Sequence, residues 1–235
     1  MKLEPIKLNK AYSDDGPLGV MERGLSFLTK AACTFYYRLR FEKFGKNSVV
    51  TGRISLRGGK RIQVGEGVVI EGGSLFRVEG TGEIRIQDGV FIEKGSRLMA
   101  KGELHLGEKV YVLKDAFIVS NGRVDLGDRT WVAAGCLVAG GDIILEKDVI
   151  LGPGVFIMDG DHRIDPAGQI LMESGIRRPV RIEANAWLGA RSIVLKGVTV
   201  GKGAVVGAGS VVTRNADPQT VYCGVPARAV KKVPA

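Results

Sequence analysis

The stretch Ile182-Glu-Ala-Asn-Ala-Trp-Leu188-Gly-Ala-Arg-Ser-Ile-Val194-Leu-Lys-Gly-Val-Thr-Val200-Gly-Lys-Gly-Ala-Val-Val206-Gly-Ala-Gly-Ser-Val-Val212 sets a large aliphatic residue at every sixth position. A period of six fits neither the 3.6 of an α-helix nor the 2 of an ordinary strand. Working outward, the same spacing forms eight triplets: Phe44/Val50/Leu56, Val64/Ile70/Phe76, Ile86/Ile92/Leu98, Leu106/Val112/Ile118, Leu126/Val132/Val138, Leu145/Leu151/Ile157, Ile182/Leu188/Val194 and Val200/Val206/Val212. Four residues after most of the first two members stands something small or β-branched, such as Ser48, Ser74, Ala116, Thr130, Ala186 or Ser210. Read as three short sides closing a triangle, each triplet is one turn of a parallel β-helix. The large residue points to the axis and the small one turns the corner. At the ~4.8 Å spacing of paired strands, eight rungs make a column of roughly 38 Å. Glycines directly after many large residues (Gly45, Gly65, Gly107, Gly127, Gly152, Gly189, Gly201, Gly207) suit tight bends, since glycine tolerates backbone angles that others avoid. The expectation is an all-β parallel β-helix of about eight rungs over residues 44–213. A Gly- and Val-rich β-sandwich would leave eight registered triplets unexplained.

The 235 residues, 45% hydrophobic, allow one sizeable core plus an appendage. Cys33, Cys136 and Cys223 are odd in number and form no CxxC pair, which favours reduced thiols in a cytoplasmic setting. All three read as packing residues. The net charge is +9, and residues 1–60 hold 12 Lys/Arg against 5 Asp/Glu. No nucleic-acid motif accompanies that excess, so it points to an anionic membrane surface or an anionic substrate.

Residues 1–43 form an N-terminal segment. Ser13-Asp-Asp-Gly-Pro17 is a helix-start signal, and Leu18, Leu25, Leu28, Ala32, Phe35 and Leu39 gather on one face of a helix running to about Phe41. Glu22, Arg23, Lys30 and Arg38 make it too charged to span a bilayer. It is expected to pack against the first rung or a sister subunit, an arrangement compatible with peripheral contact at the cytoplasmic face of the inner membrane. The repeat breaks once, between Ile157 and Ile182, so residues 158–181 should leave the column as a loop, and one of that length is expected to be functional. Residues 214–235 are a basic tail, a candidate anion contact.

The chain has two histidines. His105 precedes Leu106 in a regular repeat and should face solvent. His162 stands in the excursion, flanked by Asp159, Asp161 and Asp165. Imidazole titrates near neutral pH and a carboxylate can fix its tautomer, so a general base and a plain hydrogen-bonding loop residue stand as alternatives. Two histidines cannot supply a three-histidine metal site, and no metal is expected.

The run Arg178–Arg214, followed by Gly224-Val-Pro-Ala-Arg228 and preceded by Asp159-Gly-Asp-His162, resembles the C-terminal half of the hexapeptide-repeat O-acetyltransferases, which include the galactoside and maltose acetyltransferases. The resemblance implies left-handed winding, homotrimers with active sites in clefts between neighbouring columns, and acetyl-CoA as co-substrate. It makes His162, beside Asp161, the base that takes the proton of an acceptor hydroxyl. The Ala190 N–H would face the developing oxyanion, and Trp187 and Gly189 would line the thioester pocket. Coenzyme A would run past Ala208 and Thr213 toward Arg214, Arg228 and Lys231. An ordinary outward-facing aromatic at Trp187 and a solvated tail charge at Arg228 are the plainer readings. Where the galactoside-type enzymes place an asparagine for the sugar, this chain reads Trp131-Val-Ala-Ala-Gly135, and Asp142 with Ser120 or Asn121 could bind a sugar hydroxyl instead. The N-terminal helix resembles that of surface-polysaccharide acetyltransferases of the colanic-acid type. The expected activity is therefore direct O-acetylation of a saccharide in cell-envelope polysaccharide synthesis. N-acetylation of an amino sugar and a non-catalytic solenoid remain as alternatives.

Overall fold

The computed structural model describes residues 17–233, with side chains for 28–172 and 175–233. Helix α1 spans Pro17–Arg38. Ser13–Gly16 of the helix-start signal, and the side chains of Leu18 and Leu25, lie outside the described residues.

After α1 the chain winds into a parallel β-helix, and every triplet falls into register with the next. On the first side Phe44 pairs with Val64 and Val64 with Ile86, and the column continues through Leu106, Leu126, Leu145, Ile182 and Val200. Val50 to Val206 stack likewise on the second side. Leu56 to Val212 form the third. Nearly all these side chains are fully buried, each contributing ~1.5–3 kcal/mol of transfer free energy, and the small corner residues are buried with them. Phe44 and Leu56, in the first turn, are only half-buried.

The glycines that follow the large residues do a different job from the one expected. None of Gly45, Gly65, Gly107, Gly127, Gly152, Gly189, Gly201 and Gly207 has a positive φ. They are small because the next turn lies against them: a Cβ on Gly189 would sit 2.6 Å from Ala208 N. The left-handed conformation falls two residues later, at Gly67, Gly154 and Gly209 but also at Asn47, Lys109 and Arg129. Gly189→Ala should therefore cost ~1–3 kcal/mol through overpacking, read as a lowered denaturant midpoint. Two successive corners meet where Arg129 Nε and Nη2 donate to Asp148 at 2.6 and 2.8 Å. Those bonds hold the Asp148 carboxyl below its ordinary pKa. The contribution is present above the carboxylate range and is lost as pH falls through the depressed value. Both partners are exposed, so Asp148→Asn should lower the melting temperature slightly at neutral pH, and calorimetry should find the gap closing in acid.

Three expectations need correction. The column has about nine turns: Ala216 bridges to Val200 and Thr220–Cys223 pairs with the strand Val205–Val206, so the tail begins a ninth turn, which Arg228–Lys232 closes antiparallel. The excursion is a β-hairpin, Gly160–Ile164 against Ile170–Arg177, turned at Asp165, whose carboxylate accepts from Gln169 N. And α1 packs through the face opposite its predicted one. The Thr34 hydroxyl donates to Val50 O and accepts from Val50 N, and the Tyr37 hydroxyl does the same with Ile54. These bonds satisfy backbone groups that the open edge of the first turn would leave unpaired. Leu28, Phe35 and Leu39 stay exposed at 66, 69 and 62%.

Of the cysteines Cys136 is fully buried, and burial pushes its thiol up to about 11. Cys33 is half-buried against the core, and Cys223 is exposed. Among the described residues no helix is long and apolar enough to cross a membrane.

Candidate functional site

His162 lies two residues from the base of the hairpin, which leaves the column at the end of the third side and returns at Val180 on the first. Its imidazole is exposed and makes no hydrogen bond among the described residues. Asp161 does not orient it here: that carboxylate is paired with Lys196 at the same edge. Asp165 serves its own turn. Asp159 is 1% exposed and anchors the hairpin, accepting from the N–H groups of Gly141 and Asp142, both at 2.7 Å, and from Arg177 Nη1 at 3.1 Å. Gly140 and Gly141 make room for it: a Cβ on Gly140 would meet its carboxyl carbon at 2.7 Å.

The edge between the second and third sides carries a pattern that sequence reading missed. In the lower turns the N–H of the second corner residue is taken by a side chain of the turn before: Gly72 N donates to Thr51 Oγ1, Lys94 N to Glu71 Oε2 and Lys114 N to Glu93 Oε2. In the upper turns the residues below are Gly152 and Gly189, which have nothing to offer. Ideal Cβ positions on these two would lie 2.7 Å from Ala190 N and 2.6 Å from Ala208 N. The glycines thus sit directly against the two amides and leave them without an acceptor among the described residues. Two stacked, outward-available N–H donors on a rigid edge suit a ligand carbonyl or oxyanion. The sequence signal was available: acceptors at Thr51, Glu71 and Glu93 give way to Leu113 and Ala133 and then to glycine at 152 and 189.

Trp187, 52% exposed, stands on the adjoining second side, and Gly189 lies between it and Ala190. Arg228 and Lys231, both exposed, lie on the strand that closes the same side above. Trp187, Gly189, Ala190, Ala208, Arg228 and Lys231 therefore share one region. His162, Asp161, Thr213 and Arg214 lie at the other end of the third side, the last two just past the strand Val211–Val212. Ala190 and Lys196 stand in the turns at the two ends of the third side, with the strand Ile193–Val194 between them and at most roughly 20 Å of chain from one to the other. One chain does not bring His162 to Ala190.

Of the expected acceptor contacts, Ser120 is a correction: it is fully buried and its Oγ donates to Glu103 O at 2.6 Å, turning a corner inside the column. Asp142 is paired with Arg181 at 2.8 Å, and Asn121 is exposed in a shallow depression with Arg77 and Met99. An open cavity of about 370 Å³, lined by Lys202, Pro218, Gln219, Lys232 and Val233, contains none of the expected site residues. His105 faces outward as expected, its Nε2 3.1 Å from Gln87.

Two of the three outer faces are apolar. Val49, Val69, Phe91, Tyr111, Trp131, Ile150, Trp187 and Val205 stack down the second side, and Tyr111 lies over Trp131 at 4.9 Å. Leu75, Phe117, Leu137, Phe156, Ile193 and Val211 follow on the third, broken by Arg97. The first side shows Lys43, Gln63, Arg85, His105 and Asp125 instead.

Residues 179–214, which carry both uncovered amides, match the family model described as the hexapeptide repeat of succinyl-transferase. Among curated proteins, a galactoside O-acetyltransferase of Lactococcus lactis is 34% identical over 99 residues, 41% of this chain and 46% of that one. A 2,3,4,5-tetrahydropyridine-2,6-dicarboxylate N-acetyltransferase of Ligilactobacillus salivarius is 51% identical over 63 residues, 27% of each chain. The chain spans less than half the length of these curated relatives. A solved hexapeptide-repeat-containing acetyltransferase from Vibrio cholerae aligns over 92% of this chain and 89% of its own, with 20% identity and a TM-score of 0.40.

Proposed function

We propose that the protein is an acetyl-CoA-dependent O-acetyltransferase whose acceptor is a saccharide hydroxyl, working in cell-envelope glycan synthesis. The observation that carries the reading is the pair of amides left open at Ala190 and Ala208 by Gly152 and Gly189, inside the matched repeats. Acetyl-CoA supplies the acetyl thioester. Trp187 and Gly189 border the reacting carbonyl, Ala190 N–H meets its oxygen as negative charge develops, and Ala208 N–H holds the ligand one turn above. Arg228 and Lys231, with Thr213 and Arg214 from a neighbouring copy, meet the phosphates. His162 takes the hydroxyl proton as the oxygen attacks the acetyl carbon; the tetrahedral intermediate then collapses with cleavage of the C–S bond, and the imidazolium returns the proton to the departing coenzyme A thiolate, while Lys196 fixes the hairpin through Asp161. No serine or cysteine adjoins His162 in sequence, so transfer is direct.

Because one chain keeps His162 and Ala190 at opposite ends of a side, the site is completed by a second copy. The two apolar outer faces support this, and the assembly is a homotrimer, the symmetry implied by the resemblance. Saccharide acceptors are favoured by the galactoside O-acetyltransferase relative.

Isothermal titration with acetyl-CoA tests the donor site. Saturable binding is expected, weakened roughly tenfold by Arg228→Ala through loss of a charged hydrogen bond. Absence of a saturable site would leave a non-catalytic solenoid. The N-acetyltransferase relative keeps a second reading, an amine acceptor, and mass spectrometry of products from matched hydroxy and amino sugars separates the two.

A further inference from the structure

The end of the column that carries α1 combines an unpartnered apolar stripe with most of the molecule's net charge. Residues 28–61 contain nine Lys/Arg and one Asp/Glu, whereas the whole chain is +9. Lys30, Arg38, Arg40, Lys43, Lys46, Arg53, Arg57 and Lys60 are all exposed, and among the described residues none of them has a carboxylate within 4.0 Å.

On α1 the column side is taken by Cys33, Thr34 and Tyr37. At ~100° per residue, Leu28, Ala32, Phe35 and Leu39 fall on the opposite side in one narrow stripe. All four are exposed, with Tyr36 beside them at 52% and its ring under the Arg40 guanidinium, 5.4 Å away. The stripe thus faces away from the column.

We propose that α1 lies flat on an anionic lipid bilayer. Leu28, Phe35 and Leu39 enter the boundary between headgroups and acyl chains, and the surrounding cations meet the headgroup phosphates. Charge chooses this occupant. A second copy of the chain would bring the same unpaired cations face to face, and the apolar second and third sides already offer surfaces for contact between copies. A nucleic acid would meet the charge but leave the stripe in water. The placement rests on α1 and the first turn alone, independent of the transfer chemistry.

The experiment is co-sedimentation of the full chain with phosphatidylcholine vesicles, with and without phosphatidylglycerol, at low and high salt. Binding to the anionic vesicles is expected, at least tenfold weaker on neutral ones and weaker again in high salt. Phe35→Asp combined with Leu39→Asp should reduce anionic-vesicle binding at least tenfold. Both side chains are exposed, so melting temperature and sedimenting mass should not change. No binding to anionic vesicles, or equal binding by the double variant, would overturn the proposal. A fall in sedimenting mass in the double variant would also overturn it, by making the stripe a contact between copies.

Discussion

His162→Ala is expected to lower the turnover of acetyl transfer by about 10²–10⁴, the range that a positioned general base supplies. The dissociation constant for acetyl-CoA should barely move, since the imidazole acts on the acceptor hydroxyl and is not among the donor contacts. Thermal stability should be unchanged too, because the ring is exposed and unbonded in the chain. The measurement is release of free coenzyme A in the presence of an acceptor that wild type turns over, alongside titration of the donor. A variant keeping half the wild-type rate would remove His162 from the reaction while leaving the donor site standing.

Asp159→Ala should be the most damaging single change to the framework of the site. It strips a buried acceptor from two half-buried backbone N–H groups and from the half-exposed Arg177, a loss of about 1–3 kcal/mol. Denaturant unfolding reads the total. Hydrogen exchange reads the location: the amides of Gly141 and Asp142 should lose protection well before those of the central turns. Asp159→Asn keeps one acceptor oxygen and should fall between the two. Equal stability of Asp159→Ala and wild type would mean that the hairpin is held elsewhere.

The core was legible because it depends on one variable, the position of a large side chain every six residues. Register follows directly from that spacing, and all eight triplets stack as their spacing required. Features that depend on what lies in the neighbouring turn were not legible. Gly189 looks like a bend residue in sequence, and only the adjacent turn reveals it as a close approach. Ser120 looks like an available hydroxyl until Glu103 O takes it. Asp161 looks like a partner for His162 until Lys196, 35 residues later, claims it. On α1 the apolar periodicity correctly marked a face, but that face was assigned to the column. Two hydroxyls, Thr34 and Tyr37, won the contact because the first turn needed hydrogen bonds more than it needed apolar cover.

Both ends of the column are stoppered, by α1 and Phe41 below and by the antiparallel strand Arg228–Lys232 above. Every level between them presents the same strand geometry, so an uncapped top would be a template for an uncapped bottom. A chain stripped of both stoppers should polymerise end to end into filaments, and one stripped of a single stopper should stop at pairs. The two least repetitive parts of the sequence are what keep the most repetitive part finite.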